Sequence, residues 1–269
     1  MTASPWRGHD LGRRTVSYTE RDAILYALAV GARADDLDLV FERRLRVLPT
    51  FALTLAQWAP DALGSAGAFD ITTAVHGAQR LTVREPLPRA GEVSMTARVG
   101  EVWDKGSAAV FDVEVVSDHF VAVWSLFAPG RGGFGGERGP AAPRRPETPA
   151  DHRLTVTTHP EQAALYRLLG DRHPMHIDPA AARAAGMPRP FLHGLCTLAA
   201  TTLPMARTLD AHPADLVALE GRFTAPVHPG ERLTVDGWHD GEGALRFETS
   251  AGGRPAVSGG RARFRSARP

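Results

Sequence analysis

Apolar and polar residues alternate along several stretches of the first half of the chain, as they do in strands with one buried face. The alternation is clearest in Ala108–Ser117, where every second residue from Phe111 to Val115 is apolar. The predicted strands are Ile71–Val83, Glu92–Trp103, Ala108–Ser117 and Phe120–Phe127. Pro49–Trp58 is apolar over most of its surface and predicts a buried helix, which Pro60 and Gly64 help to stop. The pattern indicates an antiparallel sheet with a helix lying across it.

A segment without either pattern separates this unit from a second one. Residues 130–152 are rich in Gly, Pro and Arg, which predicts a linker that is flexible at its glycine end and extended at its proline end. Strand-like stretches resume beyond it, at Leu154–Thr158, Leu216–Thr224, Arg232–Trp238, Ala244–Thr249 and Ala256–Phe264. We therefore expect an N-terminal domain over residues 1–129 and a C-terminal domain over residues 153–269.

The two units repeat the same order of elements at nearly one spacing. Three residues of the first unit recur with the same identity 140 positions later, and one glycine recurs 139 positions later. The pairs are Tyr26 and Tyr166, Phe51 and Phe191, Pro86 and Pro226, and Gly91 and Gly230. Such regular spacing indicates a duplicated unit.

Composition narrows the function classes. Of the 269 residues, 43% are hydrophobic and 23% are charged, which is typical of a globular protein, and the net charge is +1. That balance creates no global field for nucleic acid or an anionic membrane, and no stretch is apolar over transmembrane length. Cys196 is the only cysteine, so an internal disulfide is excluded and a cytoplasmic location is expected.

The stretch Tyr166–Pro179 contains the strongest candidate for chemistry. Asp171 and His176 lie five positions apart, and five residues of a regular helix turn about 140°, so a helix would point them to different faces. Pro174 favours a turn or a broken helix, which can bring the two side chains together. A carboxylate beside an imidazole suits general acid–base catalysis near neutral pH. The alternative is that both are solvated or capping residues of a polar turn.

This stretch resembles the hydratase motif of the MaoC-like dehydratases and the (R)-specific 2-enoyl-CoA hydratases, also called hydratase 2. The matching residues are Tyr166, Gly170, Asp171, Pro174, Met175, His176, Asp178 and Pro179. The resemblance implies that Asp171 and His176 form the catalytic pair and that Tyr166 packs behind them. It departs at His173, which stands where that family usually has asparagine, so the role of that asparagine does not carry over directly.

The resemblance also implies an α+β double hotdog fold. In that fold two bent antiparallel sheets, each wrapped around a central helix, form a pseudo-dimer. At the position equivalent to Asp171 the first unit has Gly31 or Ala32, depending on the alignment gap. At the position equivalent to His176 it has Asp36 or Leu37. We therefore expect the second unit to catalyse and the first, degenerate unit to bind the acyl chain.

A second stretch, Pro190–Thr197, resembles the segment that begins the central helix in the same family. Backbone N–H groups at a helix N-terminus are free and lie at the positive end of the helix dipole. The N–H of Gly194 is therefore expected to stabilise a thioester enolate, with His193 beside it. The alternative is a buried helix start in which glycine allows close packing. Cys196 is expected to be a small core residue rather than a nucleophile.

The implied activity is the reversible (R)-specific hydration of 2-enoyl thioesters carried by CoA or acyl carrier protein, without a cofactor. Two rivals stay open, namely a hotdog acyl thioesterase and a noncatalytic acyl-thioester-binding subunit. A metal site at His173, His176 and Asp178 is disfavoured because no fourth ligand cluster accompanies it. No phosphate-binding glycine loop supports NAD or ATP. Neither nucleic acid nor membrane is expected as a partner, and a homodimer is left open.

Overall fold

The computed structural model describes residues 4–265, which form a ten-stranded antiparallel sheet with helices against it. The strands are β1 (Asp10–Tyr18), β2 (Val75–Val83), β3 (Gly91–Asp104), β4 (Ala108–Val116), β5 (Phe120–Pro129), β6 (His152–Thr157), β7 (Leu216–Phe223), β8 (Arg232–His239), β9 (Ala244–Ala251) and β10 (Arg254–Phe264). The helices are α1 (Glu20–Ala29), α2 (Leu37–Val40), α3 (Ala52–Leu55), α4 (Trp58–Ser65), α5 (Gln162–Tyr166), α6 (Pro179–Ala184) and α7 (Gly194–Thr208). Residues 1–3 and 266–269, which the predicted domains include, lie outside this part. Within residues 4–265, no helix combines the length and the apolar character needed to span a bilayer.

The sheet consists of two copies of one five-stranded unit. In spatial order the first copy runs β1-β3-β4-β5-β2, and the second runs β6-β8-β9-β10-β7. β2 and β7 pair antiparallel, residues 78–82 against residues 218–222, so the copies join edge to edge. This joint covers two strand edges that would otherwise be open to other chains. The arrangement confirms the predicted α+β double hotdog fold.

The central helix is continuous only in the second copy. There α7 runs for 15 residues, most of them buried, and continues past Pro204. In the first copy the predicted helix Pro49–Trp58 is wrong in its bounds, because the chain forms a 3-10 turn, then the short α3, then α4. Pro60 does not stop this segment, since it lies in the first turn of α4, where its missing N–H breaks no helical bond. Gly64 also lies inside α4.

Aromatic side chains meet where the two copies face each other. Tyr26 in α1 and Tyr166 at the end of α5 are both buried, and their ring centroids lie 6.0 Å apart. These residues are one of the pairs that repeat at a spacing of 140, so equivalent positions of the two copies touch. Phe51 packs on Tyr26 with centroids 5.1 Å apart. Burying a phenylalanine side chain contributes roughly 1.5–3 kcal/mol, so Phe51 stabilises the first copy behind the contact between Tyr26 and Tyr166 that joins the two.

The glycine-rich end of the segment 130–152 is anchored to the first copy, in contrast to the predicted flexibility. The carboxylate of Asp104, at the end of β3, accepts hydrogen bonds from the backbone N–H groups of Gly133, Gly135 and Gly136 at 2.8–3.3 Å. Backbone groups packed against a protein need such partners. The proline-rich end contacts β8 of the second copy. Both ends of the segment therefore lie on the surface of the sheet.

Asp104→Asn is expected to loosen this segment and to lower the thermal unfolding midpoint at neutral pH. The hydrogen bonds from Gly133 and the neighbouring backbone N–H groups lower the pKa of Asp104 to about 2. A carboxyl group with a lowered folded-state pKa adds stability above its ordinary pKa of about 3.9, and this contribution is lost as the pH falls through about 2. Scanning calorimetry measures the midpoint, with Asp118→Asn in the exposed β4–β5 turn as the control. An unchanged midpoint in Asp104→Asn would show that the segment is held without this carboxylate.

Candidate active site

The chain between α5 and α6 is a series of short turns, as the prolines predicted. After α5 a 3-10 turn leads to Gly170, which has a φ of +153°. A side chain here would be strained by the backbone conformation, and its Cβ would lie 3.3 Å from the carbonyl oxygen of Thr54 in the first copy. A second 3-10 turn, Pro174–His176, follows. These turns bring the two predicted catalytic side chains together.

Asp171 and His176 face each other across 4.0 Å between Oδ2 and Nε2. The imidazole of His176 is buried, and its Nδ1 lies 2.9 Å from the carbonyl oxygen of Phe191. Because a carbonyl oxygen only accepts, Nδ1 carries the proton of the neutral ring and Nε2 presents a lone pair to Asp171. Burial lowers the pKa of His176, and the charge of Asp171 offsets part of that shift. The neutral ring is therefore ready to accept a proton near neutral pH.

His173, the residue that departs from the family motif, holds the other oxygen of Asp171. Its Nδ1 lies 2.6 Å from Oδ1, and its backbone N–H donates to the same oxygen at 3.2 Å. The hydrogen bond to Asp171 raises the pKa of His173, although burial opposes this. Burial alone would raise the pKa of Asp171, but the hydrogen bond from His173 and the nearby imidazoles hold it well below its ordinary range. Asp171 is therefore an ionised carboxylate with one oxygen fixed and the other facing His176.

His193, immediately before α7, supports this pair. Its Nε2 lies 3.1 Å from the backbone carbonyl oxygen of Asp171, and its ring stacks on that of His176 with centroids 3.8 Å apart. Burial, and then the neighbouring His176, lowers the pKa of His193 to about 3, so the ring is neutral. Tyr166 contacts the His193 ring at a centroid distance of 4.8 Å. Tyr166 therefore lies behind the pair with His193 between them.

Gly194 is the first residue of α7. The first N–H groups of a helix have no partner inside the helix, so the helix does not use the N–H of Gly194. A Cβ at this position would lie 3.0 Å from the ring of Phe223 in β7. The glycine therefore allows the helix to approach the sheet closely, and it also leaves an N–H next to His193.

Two polar side chains of the first copy, which no sequence motif marks, lie within electrostatic range of Asp171. Asp61 in α4 and His76 in β2 both interact electrostatically with this carboxylate. Partial removal from solvent raises the pKa of Asp61, whose side chain is still exposed, and burial lowers the pKa of His76 to about 4. The ring of His76 packs on Phe223 with centroids 4.8 Å apart. No motif marks either residue, because their proximity to Asp171 arises only from the docking of the two copies.

The metal trio considered from the sequence is not assembled. Asp178 uses Oδ1 to accept from the backbone N–H of Ala180, and so it caps α6. Cys196 is fully buried, and burial raises the pKa of its thiol, which suits the core residue that was predicted.

A different trio, Asp171, His176 and His193, brings one ligand atom from each residue within 4.8 Å of the others. A metal ion would require the lone pairs of both imidazoles to converge on it. The two rings are stacked 3.8 Å apart and tilted by only 30°, so their in-plane lone pairs do not converge. This cluster therefore fits proton transfer better than metal binding.

Known families match the chain in the order of its two copies. The MFE-2 hydratase 2 N-terminal domain matches residues 16–121, and the MaoC like domain matches residues 141–256. The chain is 38% identical to the enoyl-CoA hydratase ChsH3 of Mycobacterium tuberculosis, over 84% of this chain and 85% of that protein. It is also 38% identical to the 3-hydroxyacyl-thioester dehydratase Y of the same organism, over 88% of this chain and 87% of that protein.

Solved structures agree on the fold. A MaoC-like dehydratase from Phytophthora capsici superposes with a TM-score of 0.87 at 24% identity, over 97% of both chains. The sequence matches extend through both copies and include the turn that carries Asp171 and His176. This chain therefore belongs to the MaoC-like dehydratase and hydratase 2 family.

Proposed function

We propose that this protein catalyses the reversible (R)-specific hydration of 2-enoyl thioesters to 3-hydroxyacyl thioesters, with Asp171 and His176 as the catalytic pair. The observation that carries the proposal is the 4.0 Å separation of Asp171 Oδ2 and His176 Nε2, two proton acceptors close enough to bind the same water molecule. A water molecule about 2.8 Å from both atoms fits this geometry. The two relatives are named as an enoyl-CoA hydratase and a 3-hydroxyacyl-thioester dehydratase, and these names describe opposite directions of one reaction.

The difference in basicity between the two acceptors assigns their roles. His176 is the stronger base, because the pKa of Asp171 is held well below that of an ordinary carboxyl group. In hydration, one water proton moves to Nε2 of His176 as the water oxygen bonds to Cβ and the π electrons shift toward the thioester carbonyl. The imidazolium then returns this proton to Cα as the carbonyl re-forms. Asp171 accepts a hydrogen bond from the water and stabilises the imidazolium, and dehydration reverses these steps.

In this proposal the thioester carbonyl lies against the start of α7. Negative charge develops on the carbonyl oxygen as water adds, and the N–H of Gly194 together with the helix dipole stabilises it. The absence of a side chain at Gly194 leaves room for the carbonyl to approach. No cofactor is required, because the thioester itself acidifies the hydrogen on Cα.

We propose that the first copy binds the acyl chain of the substrate. CoA or acyl carrier protein delivers this chain as a thioester. Support comes from the first copy, which has no acid–base pair at the positions equivalent to Asp171 and His176 and is therefore free to serve binding. The cytoplasm is the proposed location, because the single free cysteine, Cys196, suits a reducing compartment.

Loss of the absorbance of a conjugated enoyl thioester tests the function directly. Addition of the protein to crotonyl-CoA and longer homologues is expected to remove this absorbance and to form the (R)-3-hydroxyacyl-CoA, which chiral chromatography identifies. Release of free thiol from a saturated acyl-CoA would instead indicate a thioesterase, and tight binding without turnover would indicate a noncatalytic acyl-binding protein. Either result in the absence of hydration would reject the proposal.

The kcat/KM for hydration is expected to fall as the pH drops through the pKa of His176, which burial places below the ordinary value of 6.5. Protonated His176 has no lone pair on Nε2, so it cannot accept the proton from water. The activity is therefore present above this pKa and lost below it. Initial rates at constant ionic strength measure this acid limb, and intrinsic fluorescence at each pH confirms that the protein stays folded. An acid limb centred above the ordinary value would conflict with the assignment of His176 as the base.

A further inference from the structure

We propose that His173 is a positioning residue that fixes the carboxylate of Asp171 through a charged hydrogen bond, and that Asp61 of the first copy stabilises this charge. The inference rests on the proposed function and adds two residues to the catalytic machinery. An asparagine at position 173 could donate a hydrogen bond but could not titrate. The imidazole found here gives the site a charge that depends on pH.

The hydrogen bond between His173 and Asp171 has the geometry of a charge-assisted contact. Nδ1 of His173 lies 2.6 Å from Oδ1 of Asp171, and the backbone N–H of His173 reaches the same oxygen at 3.2 Å. Charge-assisted hydrogen bonds are shorter than neutral ones and roughly twice as strong. With Oδ1 held by two donors, the carboxylate cannot rotate without breaking both bonds. Oδ2 therefore stays directed at Nε2 of His176.

Four titratable groups face His173. Asp171 and Asp61 are carboxylates, and both favour the charged imidazolium. His176 and His193 are the other two, and burial lowers the pKa of each, so they stay neutral near neutral pH. Partial burial of His173 opposes its charge, but the hydrogen bond to Asp171 is the larger effect and raises the pKa of His173. The charged form of His173 is therefore favoured by its surroundings.

Asp61 extends this arrangement into the first copy. It lies in α4, where the side chain of Gln57, one turn earlier, and the charge of Arg14 both lower its pKa. Its interaction with His173 is favourable and that with Asp171 is unfavourable. The charge of Asp61 in the first copy therefore favours the imidazolium of His173 in the second.

The protonation state of His173 determines how firmly Asp171 is held. Below the pKa of His173, which the hydrogen bond raises above 6.5, the ring is charged and the bond is strongest. Above that pKa the ring is neutral, the bond weakens and the carboxylate of Asp171 turns more freely. The neutral ring can still donate from Nδ1, so the activity is highest below this pKa and falls in part as the pH rises through it. Together with the acid limb from His176, this produces a bell-shaped dependence on pH.

Substitution of His173 tests the positioning role. His173→Ala is expected to lower kcat by roughly 10- to 100-fold, because loss of the two-donor hold misplaces Oδ2, while KM changes by less than about threefold. His173→Asn restores a neutral donor, so it is expected to recover kcat to about the level that the wild type shows above the pKa of His173. The alkaline limb of the wild type is expected to be absent from His173→Asn, because asparagine has no charge to lose. A purely structural role for His173 would not remove that limb.

Nuclear magnetic resonance titration of the histidine rings tests the charge independently of turnover. The pKa of His173 is expected to lie above the ordinary histidine value and to fall in Asp61→Asn, with the alkaline limb moving to lower pH by the same amount. Asp118→Asn, in an exposed turn, is the control and should leave both the pKa of His173 and the alkaline limb unchanged. A His173 pKa that does not respond to Asp61→Asn, or an alkaline limb that persists in His173→Asn, would overturn the proposal. If the wild-type protein did not hydrate enoyl thioesters, the proposed function would fail, and this titration would still decide whether Asp61 stabilises the charge on His173.

Discussion

Asp171→Asn and His176→Gln are each expected to lower kcat for hydration by roughly 10²–10⁴-fold, the usual contribution of a positioned acid or base. Asparagine keeps the shape of the carboxylate but loses the charge that orients the water and stabilises the imidazolium. Glutamine at position 176 has no imidazole lone pair to accept the proton. KM is expected to change much less, because neither group holds the carrier. Steady-state rates with crotonyl-CoA measure both parameters.

His228→Gln is the matched control for structural damage. Nδ1 of His228 lies 3.0 Å from the carbonyl oxygen of Pro190, much as Nδ1 of His176 lies 2.9 Å from that of Phe191. We expect this control to keep kcat within about threefold of the wild type, since His228 takes no part in the pair. The double variant of Asp171 and His176 should have a kcat little lower than that of the less active single variant, because the effects of groups that act as a unit are not additive. Full turnover in both single variants would refute the catalytic assignment.

The fold was predictable because its determinants are local and occur twice. Alternation in Ala108–Ser117 located β4, which runs from Ala108 to Val116, and the repeat spacing of 140 aligned the two copies. The helix of the first copy was not predictable in the same way. Pro60 predicts the end of a helix in the sequence, but its effect depends on its position within the helix. In the first turn of α4 it removes no helical hydrogen bond.

The anchored segment 130–152 shows a second limit of sequence reasoning. Glycine-rich composition predicts freedom only when the backbone has no partner. Here Asp104, distant in sequence, supplies that partner. Composition alone could not identify it.

The catalytic pair could be named from sequence because the motif around Asp171 and His176 is contiguous. The environment of these two residues could not be predicted from sequence, because it depends on contacts between distant segments. The carbonyl oxygen of Phe191, 15 positions beyond His176, selects the tautomer of that ring. Asp61, more than a hundred positions upstream, reaches the site only through the docking of α4 beside the second copy. Sequence therefore predicts which groups react here, and tertiary structure determines how each of them titrates.

Gly194→Pro is expected to lower kcat roughly 10²–10³-fold more than Gly194→Ala, because only proline removes the N–H proposed to stabilise the enolate. Both substitutions add a Cβ, which at this position would lie 3.0 Å from the ring of Phe223, so they share this clash, and proline alone adds Cγ and Cδ. Proline is well tolerated as the first residue of a helix. The preceding His193 has φ −56° and ψ 134°, which suits a residue before proline. The ratio of the two kcat values therefore reports on the N–H when circular dichroism shows that α7 is intact in both variants.

The shared clash with Phe223 determines how that ratio is read. If Gly194→Ala alone abolishes activity, both substitutions are repeated with Phe223→Leu, which makes room for the Cβ, and circular dichroism verifies that α7 is intact. A ratio near one in that background would mean that the N–H of Gly194 stabilises no charge and that the glycine serves only the approach of α7 to β7. A large ratio with α7 intact would mean that the start of α7 acts on the transition state, because proline removes the hydrogen-bond donor that alanine keeps.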